Sequence, residues 1–213
     1  MKRLSYIILL GFIIGSAFVN AQEQEVRLGT LHLSQKETKN FRTPRDSSIR
    51  LIIDTLIMED KSSLRFFGKK EVDIEVQHAF IGENTHISGV GSQNNASNFK
   101  VDIGFEELGS LSILARGIDA INGTKTFPNG DGGNVVLTYN PSMITPQTQD
   151  KKGQHYLHVD ISPGGLHVTP SSEVSLLYSR IAQAPSGLRG LPQGQVYSGS
   201  AGQEGKVEIK AKE

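Results

Sequence analysis

The residues best suited to chemistry lie in one short glycine-rich run, Asn129-Gly130-Asp131-Gly132-Gly133-Asn134. Asn129, Asp131 and Asn134 offer hard oxygen ligands on a permissive backbone, a donor set that suits Ca²⁺. The run is like a single copy of the calcium-binding nonapeptide of β-helices, though it supplies one carboxylate only. The competing reading is a tight turn, because Asn-Gly and Asp-Gly readily adopt positive φ. A second set is acidic: Asp73, Glu75, Asp102 and Asp160 alternate with apolar neighbours and so share the outer faces of predicted strands. If those strands stacked, neighbouring carboxylates could act as an acid/base pair on a polysaccharide, which requires a separation of about 5–9.5 Å. Asp73, Asp102 and Asp160 are the catalytic candidates on that reading; the alternative is an ordinary solvated face.

Other nucleophile and ligand patterns are weaker. His155 and His158 are three apart, which on a strand puts them on opposite faces. His78 and His86 have no ligand spacing. The Gly-x-Ser-x-Gly elbow is absent; Ser162 in Asp160-Ile161-Ser162-Pro163-Gly164 and Ser200 in Ser198-Gly199-Ser200-Ala201-Gly202 come nearest, each without the first glycine. No phosphate-binding P-loop or Gly-x-Gly-x-x-Gly opening a helix occurs. The chain contains no cysteine, so disulfides, thiolate metal sites and cysteine nucleophiles are excluded. No cofactor is expected, calcium being the one candidate. With no Trp, 5 Tyr and 9 Phe, flat aromatic platforms for sugars are scarce.

These residues sit on a chain whose pattern is strand after strand. Val72-Asp73-Ile74-Glu75-Val76 and Phe99-Lys100-Val101-Asp102-Ile103 alternate apolar with charged residues, the period of a half-buried strand. Ile49 to Ile57, Leu111 to Ala115, Val135 to Tyr139, Tyr156 to Ile161 and Lys206 to Lys210 carry the same signal. Thr43-Pro44-Arg45-Asp46 marks a turn. Only Val174, Leu177, Tyr178 and Ile181 fall at helical spacing, which predicts one short helix over 172–182. Val-Asp-Ile recurs at 72–74, 101–103 and 159–161, separations of 29 and 58 residues that hint at a repeat. The expected class is therefore all-β, either a short parallel β-helix or a β-sandwich. Uneven turn spacing favours the sandwich, and glycines after short β-branched runs favour the β-helix.

The N-terminus reads as a secretory signal. Lys2 and Arg3 precede an apolar run from Tyr6 to Val19, Ala21 supplies the small residue before the cut, and Gln22 opens a polar stretch. The apolar run is shorter than the roughly 20 residues of a bilayer span, and no second such run follows. The expectation is cleavage between Ala21 and Gln22 and export to the periplasm, cell surface or medium, with no membrane span in the mature chain. The chain balances 22 basic against 22 acidic residues, so no cationic excess recruits nucleic acid. The organisation expected is a signal peptide over 1–21, a polar lead-in with one strand over 22–48, a β-rich domain over 49–184, and a glycine-rich segment over 185–213.

Three stretches carry a resemblance. They are Leu111 to Gly123, Asn129 to Leu137, and Pro185 to Gly194 with Gly199, Gly202 and Gly205 beyond it. Together they resemble glycine-rich, collagen-like exported bacterial surface proteins. The resemblance implies a non-enzymatic surface or matrix role with an unidentified protein or glycan as partner. The chain departs from the collagen pattern at glycines 187, 190, 194, 199, 202 and 205, where the period of three slips. A triple helix breaks where that happens.

Overall fold

The computed structural model describes residues 24–121, 127–166, 174, 175, 178, 179, 182 and 200–213. The signal sequence predicted over 1–21, most of the predicted helix over 172–182, and residues 185–199 lie outside the described residues. Among the described residues there are nine strands: β1 (Gln24–Leu33), β2 (Thr38–Met58), β3 (Ser63–Ile81), β4 (Thr85–Val90), β5 (Asn98–Leu108), β6 (Ser110–Leu114), β7 (Val135–Tyr139), β8 (Tyr156–Asp160) and β9 (Val207–Ala211).

Among the described residues every pairing between these strands is parallel, which excludes the sandwich and establishes a short β-solenoid. The chain coils so that Gln24 lies opposite Ile49, Ile49 opposite Val72, Val72 opposite Phe99, Phe99 opposite Val135, and Val135 opposite Val207. The steps of 25, 23, 27, 36 and 72 residues explain why turn spacing looked uneven. Later turns carry insertions, while the first-side column keeps its register from 24–28 through 207–211.

Each early turn has three straight sides. The first runs through residues 24–28, 49–53, 72–76, 99–103, 135–139 and 207–211. At Asp54-Thr55 and Gln77-His78 two successive residues face outward, and this break in alternation bends the chain onto a second side. There Leu33, Met58, Ile81 and Leu108 stack inward and are buried. A third side stacks 38–42, 63–67, 86–90, 111–114 and 156–160. β1 and the start of β2, inside the polar lead-in of the sequence reading, thus form the first turn. Thr43-Pro44-Arg45-Asp46 falls at a register shift between Arg42 and Ser47.

Alternation decides the core. Leu51, Ile74, Val101 and Leu137 form one buried inward row, and Ile49, Val72, Phe99 and Val135 another. On the third side Phe41 stacks on Phe66 with centroids 5.0 Å apart, and Phe99 meets Phe66 edge-on at 6.1 Å. The next residue in that column is Gly89, where a Cβ would lie 2.7 Å from Phe99 Cζ; glycine makes room for the ring.

Candidate functional site

The glycine run singled out by the sequence does not form an isolated turn. Residues 130–135 run as one extended segment surrounded by four others, near 94–98, 115–118, 161–164 and 202–206. Its backbone N–H groups point in three directions in rotation. Gly130 and Gly133 donate to the carbonyls of Ile118 and Ala115 (2.9 and 2.8 Å). Asp131 and Asn134 donate to the side-chain oxygens of Asn95 and Asn98 (2.8 Å each). Gly132 and Val135 donate to the carbonyls of Gln203 and Lys206 (2.9 and 2.8 Å). A bond direction that returns every third residue is the three-fold repeat of a polyproline II chain, not the two-fold repeat of a strand. The amides of the segment are therefore bonded on three sides, and the fourth neighbour bonds it through Gly164 N, which donates to the Gly130 carbonyl at 2.8 Å.

Such packing leaves no room for side chains at its seams. A Cβ at Gly130 would sit 1.8 Å from the Asn94 carbonyl oxygen, and one at Gly132 would sit 1.8 Å from that of Ile161. At Gly133 the obstacle is the Ser97 carbonyl at 2.0 Å, and at Gly202 it is the Gly130 carbonyl at 2.2 Å. The three glycine-bearing stretches that carried the resemblance meet here, through Gly117, Gly130 to Gly133, and Gly202 with Gly205.

The predicted calcium ligands lie along this segment, and one side-chain oxygen of each already accepts a backbone amide. Asn129 Oδ1 accepts from the Ala120 amide at 2.8 Å, and its Nδ2 donates to the Ser200 carbonyl at 2.8 Å. Asp131 Oδ1 accepts from Gln203 N at 2.7 Å, and Asn134 Oδ1 from Lys206 N at 2.9 Å. Asn95 to Asp131 to Gln203 and Asn98 to Asn134 to Lys206 are thus two ladders of side chains holding the next turn's backbone. The sequence reading missed Asn95 and Asn98. Their spacing of three, repeated in Asp131 and Asn134, was the available signal.

The acidic candidates are divided between two sides. Asp73, Glu75 and Asp102 are on the outward face of the first side, whereas Asp160 is on the third. The Val-Asp-Ile tripeptides at 72–74 and 101–103 stack two residues out of step, because Ile74 pairs with Val101, and the third, at 159–161, is on a different side. Asp73 accordingly stands opposite Lys100 (Oδ2 to Nζ 3.7 Å). Glu75 stands opposite Asp102, and each is met by a cation: Arg50 Nη2 lies 3.2 Å from Glu75, and Lys212 Nζ lies 2.8 Å from Asp102. These contacts raise the pKa of both Arg50 and Lys212. Asp160 accepts from the Ser162 hydroxyl at 2.6 Å and its amide at 3.0 Å. Burial pushes its carboxyl upward, but the two Ser162 bonds, with Arg116 and His158 nearby, hold it below the usual range.

The histidines are dispersed. His78 Nδ1 meets Glu106 at 2.7 Å and His32 Nε2 meets Glu59 at 2.9 Å. His155 occupies a left-handed turn position (φ 61°), and His158 lies parallel to the Tyr156 ring at 6.3 Å. His86, lowered in pKa by burial and by Arg65, has a buried Nδ1 without a partner. Among the described residues no three His, Cys, Asp or Glu side chains gather as a metal site.

A residue that alternation could not reveal is Lys69, fully buried at the corner after Gly68. Its Nζ lies 3.2 Å from Ser47 Oγ, and its carbonyl accepts from Ser97 Oγ at 2.6 Å. Beside this corner two grooves of about 510 and 670 Å³ share Ser48, Glu71 and Asn98. Lys100 and Asn134 line the first, and Lys70 and Asp131 the second.

Fold and seam together define a parallel β-solenoid locked along one flank by a three-fold glycine bundle. No protein-family model matches this chain, and no curated protein or solved structure matches it. Among the described residues no helix is long and apolar enough to cross a membrane.

Proposed function

We propose that this protein is an exported, non-enzymatic structural or binding component of the cell surface, periplasm or matrix. In this role the solenoid is a rigid support, and the joined grooves beside Ser48, Glu71 and Asn98 receive a protein or glycan partner. The observation that carries the reading is the commitment of the polar side chains. Asp131 and Asn134 hold backbone amides, Asp160 holds a turn, and Asp73 and Asp102 are each met by a lysine. Groups so engaged serve shape rather than turnover. Export rests on the leader of residues 1–21. The test is twofold: fractionation of the producing cell with N-terminal mass analysis, and a glycan and surface-protein binding panel. The reading expects a mature chain beginning at Gln22 outside the cytosol, and binding weakened by Glu71→Ala or Asn98→Ala. An intact Met1 on cytosolic protein would overturn it.

One observation favours a second reading, a polysaccharide-active β-solenoid enzyme: Glu75 and Asp102 are direct neighbours on adjacent turns. Both project from the same side and each is met by a cation, unlike a pair straddling a bound sugar. Turnover on the glycan panel, abolished by Glu75→Gln or Asp102→Asn, would favour the enzyme.

A further inference from the structure

We propose that the two ends of the solenoid are charged so that copies of this chain do not stack head to tail. Among the described residues β1 pairs only with β2, and β9 only with β7, so each leaves a strand edge unpaired. Such edges are templates for another chain unless something blocks them. The inward rows would welcome it: Val207 is 42 % exposed, and Val26, Leu28 and Ile209 are only partly buried.

Continuing the first side past β9 places Gln24 of a following copy opposite Val207, Val26 opposite Ile209 and Leu28 opposite Ala211. The apolar rows match, but the outward rows do not. Glu25 falls opposite Glu208, and Arg27 opposite Lys210. Within the molecule the first of these rows alternates in sign over Glu25, Arg50, Asp73 and Lys100, then passes through uncharged Val136 to Glu208. The second row holds one like-charged pair, Glu75 opposite Asp102, each met by a cation, Arg50 and Lys212. A second copy would set like charges opposite in both rows at once, and like charges directly opposite destabilise a strand pair. Sliding the copy by two residues would bring Arg27 to Glu208. It would also carry the bend at Gly29-Thr30 off the corner column of Asp54-Thr55 and Gln77-His78 and misplace the other two sides.

The third side adds a separate obstacle. Its inward row reads Leu64, Ile87, Ile113 and Val159, but the first-turn member is Lys39, which is exposed at the open end. A cation aimed inward on an edge strand repels an incoming apolar layer.

The test is sedimentation velocity over a concentration series, with electron microscopy of the same samples. Wild-type chain is expected to keep one sedimentation coefficient. E25K/R27E/K39L is expected to grow into rods, with a coefficient rising with concentration. Adding E208K/K210E, which makes the facing charges alike again, is expected to reduce that growth. Wild-type filaments, or an E25K/R27E/K39L chain that keeps its fold by circular dichroism yet stays a single species, would overturn the proposal. Should K39L impair folding, or E25K do so by facing Arg50 on the next turn, E25Q/R27E alone is decisive, since both side chains are exposed and the like charges facing Glu208 and Lys210 are removed.

Discussion

Asp73 stands directly opposite Lys100, its Oδ2 3.7 Å from the lysine Nζ, and not opposite Asp102. That two-residue offset turns a suggestive acidic repeat into a ladder of alternating charge. Surface pairs of this kind contribute roughly 0–1 kcal/mol. Asp73→Ala should therefore lower stability by less than about 1 kcal/mol in urea melts, with the loss shrinking further in high salt.

The glycine seam is where single substitutions should be severe. Gly130→Ala drives a Cβ to within 1.8 Å of the Asn94 carbonyl, which is fixed backbone. Overpacking typically costs about 1–3 kcal/mol, and more where nothing can yield. The loss at Gly130 should reach or exceed the upper end. Gly29→Ala is the control: the nearest atom is Asp54 Oδ2 at 4.0 Å, and its melting temperature should stay near wild type.

The asparagine and aspartate ladders make a prediction that separates support from metal binding. Asp131→Ala removes the acceptor for Gln203 N and should cost about 1 kcal/mol. Asp131→Asn keeps that oxygen and should remain close to wild type. Millimolar Ca²⁺ should leave all three melting temperatures unmoved. A calcium-dependent rise in wild type, lost in Asp131→Asn, would restore the calcium reading, because a ligand bound to the native state alone stabilises it.

Asp160 supplies a pH dependence. Its carboxyl is held below its ordinary value in the folded chain, so the native state binds fewer protons than the unfolded one. Its contribution is present above the unfolded carboxylate range near pH 4 and disappears as pH falls through the lowered value. Melting profiles from about pH 6 to pH 3 should show wild type losing stability faster than Asp160→Asn, the gap narrowing with acidity.

Much of this architecture was legible. Alternation in Val72 to Val76 and Phe99 to Ile103 fixed which residues are buried, because on a strand the side chain direction follows from parity alone. The choice of solenoid over sandwich was not, since insertions after Ala115 and Tyr139 stretch the steps to 36 and 72 residues and hide the period. The glycine run was recognised as unusual, but its role depends on segments up to 72 residues away that no local pattern names. Lys69 escaped notice because a lysine at a corner reads as solvated until the chain folds over it.

The register itself is the claim on which all else depends, and a chain without native cysteine makes it testable. Asp73→Cys with Lys100→Cys places two thiols directly across adjacent parallel strands, within the Cα separation of about 4.4–6.8 Å that a disulfide spans. Asp73→Cys with Asp102→Cys offsets them by two residues. Mild oxidation followed by mass analysis should find the first pair bridged and the second free. Efficient bridging of the 73/102 pair with none at 73/100 would contradict the stacking described.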